Sequence, residues 1–107
     1  MNQKKLIRQK FRDAVFARDG HRCVFCSETK NLDAHHITDR SLMPNGGYVK
    51  ENGITLCPQH HYDAELFHIS DGHKCIVGMH PNDLYAKIGS SHEKAVAASE
   101  RLGGRDG

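Results

Sequence analysis

The sequence has no tryptophan, only four phenylalanines and three tyrosines, and a hydrophobic share of 37% over 107 residues. So little apolar material supports one small core in one domain and excludes a large self-sufficient one. There is no apolar run of the roughly eighteen residues that a membrane-spanning helix needs. The opening stretch, Met1-Asn2-Gln3-Lys4-Lys5-Leu6-Ile7-Arg8, lacks the apolar segment of a secretory signal, so the expected compartment is the cytoplasm. Structural disulfides are scarce there, which makes a metal, zinc above all, the expected staple for a thin core. Internal repeats and low-complexity linkers are lacking too.

The formal net charge of +2 is unevenly spread. Residues 1–18 hold Lys4, Lys5, Arg8, Lys10, Arg12 and Arg18 against Asp13, a net +5, and the rest of the chain is net −3. A basic arm ahead of a Cys/His-rich body suits a polyanion, or else it is the solvated face of an ordinary helix. Leu6, Ile7, Phe11, Ala14 and Val15 recur at helical spacing and predict an amphipathic helix over 4–18, with Lys5, Arg8 and Arg12 outward and Asp19-Gly20 ending it. A strand is expected over 32–38, a long loop over 39–51 around Pro44-Asn45-Gly46-Gly47, and a returning strand over 53–57. Pro58 then opens a helix running through Phe67.

Further on, the pattern predicts a short strand from His73 to Met79 and a helix capped by Asn82 that ends before Gly89. A capping box at Ser90-Ser91-His92-Glu93 starts a last helix that reaches Leu102 and stops at Gly103-Gly104. The expected class is α+β: a β-hairpin leading into a helix, with helices on both flanks. Its parts are a basic N-terminal helix (1–20), a stapled core (21–70) and a C-terminal extension (71–107).

Two knuckles carry the metal chemistry. Cys23-x-x-Cys26 and Cys57-x-x-His60 each present two soft donors to one point, and together they complete a tetrahedron around Zn²⁺. Three thiolates and an imidazole leave no position for water, so such a metal holds the fold rather than reacts. Alone, a C-x-x-C could equally be a redox pair. His73 and Cys75 are alternatives to His60 as the fourth ligand.

His35 and His36 are adjacent on the first strand, so their side chains face opposite ways. Asn52 opens the returning strand, and His61 lies at the start of the next helix. In this order, the knuckles, Ala34-His35-His36-Ile37, Gly46-Gly47-Tyr48, Asn52-Gly53-Ile54-Thr55-Leu56-Cys57 and His60-His61 resemble the HNH nuclease family. The resemblance covers Phe16 to about Glu65, and within the family it is greatest to small stand-alone phage or homing-type members.

The resemblance implies a small, treble-clef-like ββα-metal fold and a metal-dependent endonuclease that cleaves DNA, duplex DNA first, leaving a 5′-phosphate and a 3′-hydroxyl. It implies that His36 is the general base and that His35 and His61 ligate a catalytic divalent cation, Mg²⁺, Mn²⁺, Ni²⁺ or Zn²⁺. Asn52 would fix the loop that orients the base. Glu65, four residues after His61 on the same helix face, is a further ligand or a solvated carboxylate. Arg40 would clamp the phosphate, with Lys4, Lys5, Arg8 and Arg12 anchoring the flanking backbone. Asp39, Tyr48 and Tyr62 have weaker claims, and His21, His68, His73, His80 and His92 are read as structural or surface residues.

A phage-encoded chain of this kind would act in the host cytoplasm, with no small-molecule cofactor, as a monomer or a homodimer. The alternative is a non-catalytic zinc-stapled nucleic-acid-binding module. That module needs the knuckles and the arm, but not His36, Asn52 and His61 together.

Overall fold

The computed structural model describes residues 3–104, with side chains described for 3–102. Residues 1–2 and 105–107, the outer ends of the basic arm and of the C-terminal extension, lie outside the described residues. Helix α1 (Gln3–Asp19) leads to strand β1 (Asp33–His36), three 3-10 turns, strand β2 (Gly53–Leu56) and helix α2 (Pro58–Ile69). Helices α3 (Pro81–Lys87) and α4 (His92–Gly104) follow. The described residues thus form an α+β structure with four helices and one two-stranded sheet.

The hairpin is antiparallel, with Ala34 opposite Thr55, His35 opposite Ile54 and His36 opposite Gly53. Side chains alternate between the faces of a strand, and here each face has its own helix. Ala34, His36, Gly53 and Thr55 meet α1, whereas His35, Ile54 and Leu56 look toward α2. Gly53 is required by the close approach of α1, because a Cβ there would lie 2.5 Å from Val15 Cγ2 and 2.7 Å from Phe11 Cζ. The contact is closed at the helix end: Arg18 pairs with Asp19 at 2.8 Å and donates to Gly53 O, while Asp19 Oδ2 accepts from Thr55 N. Arg18 is therefore taken out of the basic arm and serves as a brace.

The core gathers Ile37, Met43, Ile54, Leu56, Ala64, Leu84, Tyr85 and Ala95, so the C-terminal helices pack into the same core as the hairpin. Burial of α1 is narrower than its periodicity predicts. Phe11 and Val15 are buried, but Leu6 and Ile7 are exposed, because the first turns of α1 extend past the hairpin.

Five other expectations are corrected. The first strand is shorter than 32–38: pairing stops at His36, and Asn52 then takes Ile37 N with its backbone O and Thr38 N with its side chain. His73–Met79 is irregular and has no strand partner among the described residues, with positive φ at Gly78 and, just before it, at Asp71 and Gly72. His80, not Asn82, caps α3, accepting from Asn82 N at 3.0 Å. Ser91, not Ser90, caps α4 through Lys94 N, while Ser90 Oγ donates to Glu51 O. Last, α4 runs to Gly104, past the expected stop at Leu102.

Candidate metal centres and an arginine-lined cleft

Cys23 and Cys26 lie in the turn after α1, and Cys57 and His60 in the first turn of α2. All four ligand atoms fall within 4.8 Å of one another. Cys26 Sγ is 3.6 Å from Cys57 Sγ, and His60 Nδ1 is 3.1 Å from Cys57 Sγ and 3.6 Å from Cys23 Sγ. A Zn–S bond of about 2.3 Å gives a tetrahedral edge of about 3.7 Å, so this spacing fits a metal and is far too long for a disulfide. Burial opposes ionisation of Cys23, but backbone hydrogen bonds from Cys57, Phe25 and Cys26 outweigh it and lower its pKa. Phe25 stacks on His60 and shields the ring. Of the two alternative fourth ligands, Cys75 is exposed and donates to Ile76 O, and His73 is an exposed residue; neither is in the cluster.

The second cluster lies between β1 and α2. His35 is 2% exposed, and both its ring nitrogens are buried without a hydrogen-bond partner. Its Nδ1 is 3.3 Å from Glu65 Oε1, close enough for an ion pair yet not aligned as a hydrogen bond. His61 Nε2 is 3.6 Å from the same oxygen, and its Nδ1 is 3.3 Å from Asp33 Oδ2. The ligand atoms of His35, Glu65 and His68 all lie within 4.8 Å of one another. A buried imidazole that faces a carboxylate without hydrogen bonding suits a shared cation. Burial lowers the pKa of His35, opposed by Glu65, and His35 holds Glu65 below the usual carboxylate range.

His36 faces the other way. Its ring stacks on Phe11 at 4.4 Å and meets Tyr48 edge-on at 4.9 Å. It lines a cleft of about 240 Å³ with Arg8, Phe11, Arg12, Asp33, Ala34, Arg40 and Tyr48. Arg40 donates to Tyr48 Oη at 2.7 Å, and the Arg12 guanidinium lies over Phe16. A second recess of about 370 Å³ continues past Arg8, Arg40 and Tyr48 to Lys4 and Ile7. Lys5 is exposed and lines neither recess. Asp33 touches His61 and also borders the cleft, so the outer edge of β1 joins the two faces.

Desolvation, helped by the nearby Arg40 charge, lowers the pKa of His36 to about 4. The ring is neutral at pH 7 and able to accept a proton. Its ordinary value is 6.5, so between pH 6.5 and 4 the unfolded chain binds a proton that the fold does not. Stability is then expected to fall as pH drops through this window, by about 3 kcal/mol from His36 alone at its lower end. The difference in urea stability between the native protein and His36→Ala, followed at pH 7.5, 6.5 and 5.5 with zinc content checked, tests this; a difference that does not change with pH would contradict it.

Asn52 is fully buried and clamps the segment after His36. Its Oδ1 accepts from Thr38 N at 3.0 Å and from Tyr85 Oη at 2.7 Å, and its Nδ2 donates to Thr38 O and Gly47 O. Asn52 thus holds the chain beside His36 and does not itself face the cleft. Tyr85 was not legible as a partner, because it lies on α3, 33 residues away. Tyr85→Phe is expected to lose about 1–2 kcal/mol through the buried Asn52 oxygen it leaves short of a donor. An unchanged urea midpoint would show that the hydroxyl contributes nothing.

Asp39 caps a 3-10 turn through Ser41 N, and Tyr62 is exposed on α2. The histidines read as structural divide: His21 meets Phe16, His80 meets Phe67 and His92 meets Tyr85, but His68 belongs to the second cluster. No helix among the described residues is long and apolar enough to cross a membrane. Comparison of the chain with protein-family models, curated proteins and solved structures finds no match.

Proposed function

We propose that this chain is a metal-dependent endonuclease of the HNH, ββα-metal type that hydrolyses phosphodiester bonds in DNA. The observation that carries this reading is the division of labour on β1. His35 sits in a ligand cluster with neither ring nitrogen hydrogen-bonded, and the neighbouring His36 faces a cleft lined by three arginines. A non-catalytic module accounts for the knuckles and the arm but gives the buried His35 cluster no task.

In this reading Arg8, Arg12 and Arg40 bind the phosphate oxygens at the cleft, and Lys4 extends the track for the flanking backbone. Neutral His36 takes the proton from the attacking water. Phe11 and Tyr48 hold its ring, while Asn52 fixes the backbone that follows it. Burial is the main cause of the depressed His36 pKa, and a phosphate bound beside Arg40 would offset only the smaller contribution of the Arg40 charge. His35 and Glu65, with His61 beside Glu65, are the residues that would hold the divalent cation, which would stabilise charge on the phosphate and on the 3′ leaving oxygen. The structural zinc is assigned to Cys23, Cys26, Cys57 and His60.

The test is conversion of supercoiled plasmid to the nicked form by zinc-loaded protein with Mg²⁺, Mn²⁺ or Ni²⁺. Nicking that needs an added cation is the expected result. Intact plasmid with all three cations would leave the binding module as the better reading.

A further inference from the structure

Helix α2 turns three polar side chains toward β1, His61, Glu65 and His68, at successive one-turn steps. The last of them does two things at once. Its Nε2 lies 3.0 Å from the backbone oxygen of His36. A carbonyl oxygen only accepts, so Nε2 carries the proton, and in the neutral ring the lone pair is then on Nδ1. The ring also stacks on His35, with centroids 5.2 Å apart and planes 21° from parallel, and shares the cluster with Glu65.

A histidine that ligates a metal through one nitrogen commonly donates its other N–H to a backbone carbonyl, which fixes tautomer and ring orientation. We infer that His68 is a ligand of the cation held by His35 and Glu65 and a tether for the carbonyl of His36. The inference rests on reading the His35 cluster as a cation site and adds a ligand and a linkage to it. One imidazole then joins the two faces of β1: the ring that helps to hold the cation also holds the backbone of the residue facing the cleft. The orphaned nitrogens of His35 point to a ligand at this place independently of His68.

Protein carrying one equivalent of Zn²⁺ is titrated with Ni²⁺, without DNA, by calorimetry and by NMR of the imidazole ring signals. In the native sequence, Ni²⁺ is expected to broaden the ring signals of both His35 and His68. His68→Gln keeps a side-chain N–H able to reach the His36 carbonyl but removes the imidazole lone pair. Its Ni²⁺ affinity is expected to fall about tenfold or more, with zinc content and melting temperature kept. Sharp His68 signals at saturating Ni²⁺, or native affinity in His68→Gln, overturn the inference. If the variant fails to fold, the ring ¹⁵N shifts of His68 with a second equivalent of diamagnetic Zn²⁺ decide: a shift of Nδ1 supports ligation, and an unmoved Nδ1 overturns it. Ni²⁺ binding through His68 in a protein that nicks no plasmid would sink the nuclease reading and leave the ligand assignment standing.

Discussion

Cys57→Ser is expected to leave a chain that holds no zinc and has no cooperative melting transition at neutral pH. Structural zinc contributes on the order of 10–16 kcal/mol in small zinc-dependent folds, against a net stability of about 5–15 kcal/mol for an ordinary domain. A serine hydroxyl is a poor zinc ligand, and Cys57 is a buried member of the four-ligand cluster. It also precedes Pro58 at the start of α2, so the same residue joins β2, the four-ligand cluster and the helix that carries Glu65. Cys75→Ser is the internal control: Cys75 is exposed and outside the cluster, and its loss is expected to change stability by less than about 0.5 kcal/mol. Metal analysis and thermal melts measure both variants. Native zinc content and melting temperature in Cys57→Ser would refute the zinc assignment.

His36→Ala is expected to slow plasmid nicking by about 10²–10⁴-fold, the usual range for removing a general base. DNA affinity should change little, because Arg8, Arg12 and Arg40 remain around the cleft. Zinc content should stay at one per chain, since His36 is not one of the four clustered Cys/His ligands. The loss should therefore appear in the rate at saturating DNA. Removing the ring also removes its stack on Phe11, so the melting temperature has to be read alongside the rate. Nicking at the native rate by a folded His36→Ala protein would refute the general-base assignment.

Much of the local framework was legible because it depends on short spacings. Helix α1, the hairpin and α2 are set by periodicity and by punctuation at Gly20, Pro44 and Pro58. The C-x-x-C and C-x-x-H steps need only a tight turn and a first helical turn to converge. His60 was open to rivals at 73 and 75, and only the fold shows those two turned to solvent. Errors arose where burial decides conformation. Leu6 and Ile7 have the right spacing but stay partly exposed beyond the core, and 73–79 has strand-like residues but no strand beside it among the described residues.

By itself, the sequence determined the class of the elements, the two knuckles, the opposed faces of His35 and His36, and the basic character of α1. These follow from backbone periodicity and charge, which need no distant partner. Tertiary structure alone decided which groups meet. It brought His68 against His35 and Glu65, Asp33 against His61, Tyr85 onto Asn52, and Arg8 and Arg12 to the cleft of His36. It also removed Arg18 from the basic arm and made it a brace. The physical reason is that a partner is set by where two helices lie on the two faces of one hairpin. That placement depends on packing details, such as the missing Cβ of Gly53, which no local pattern encodes.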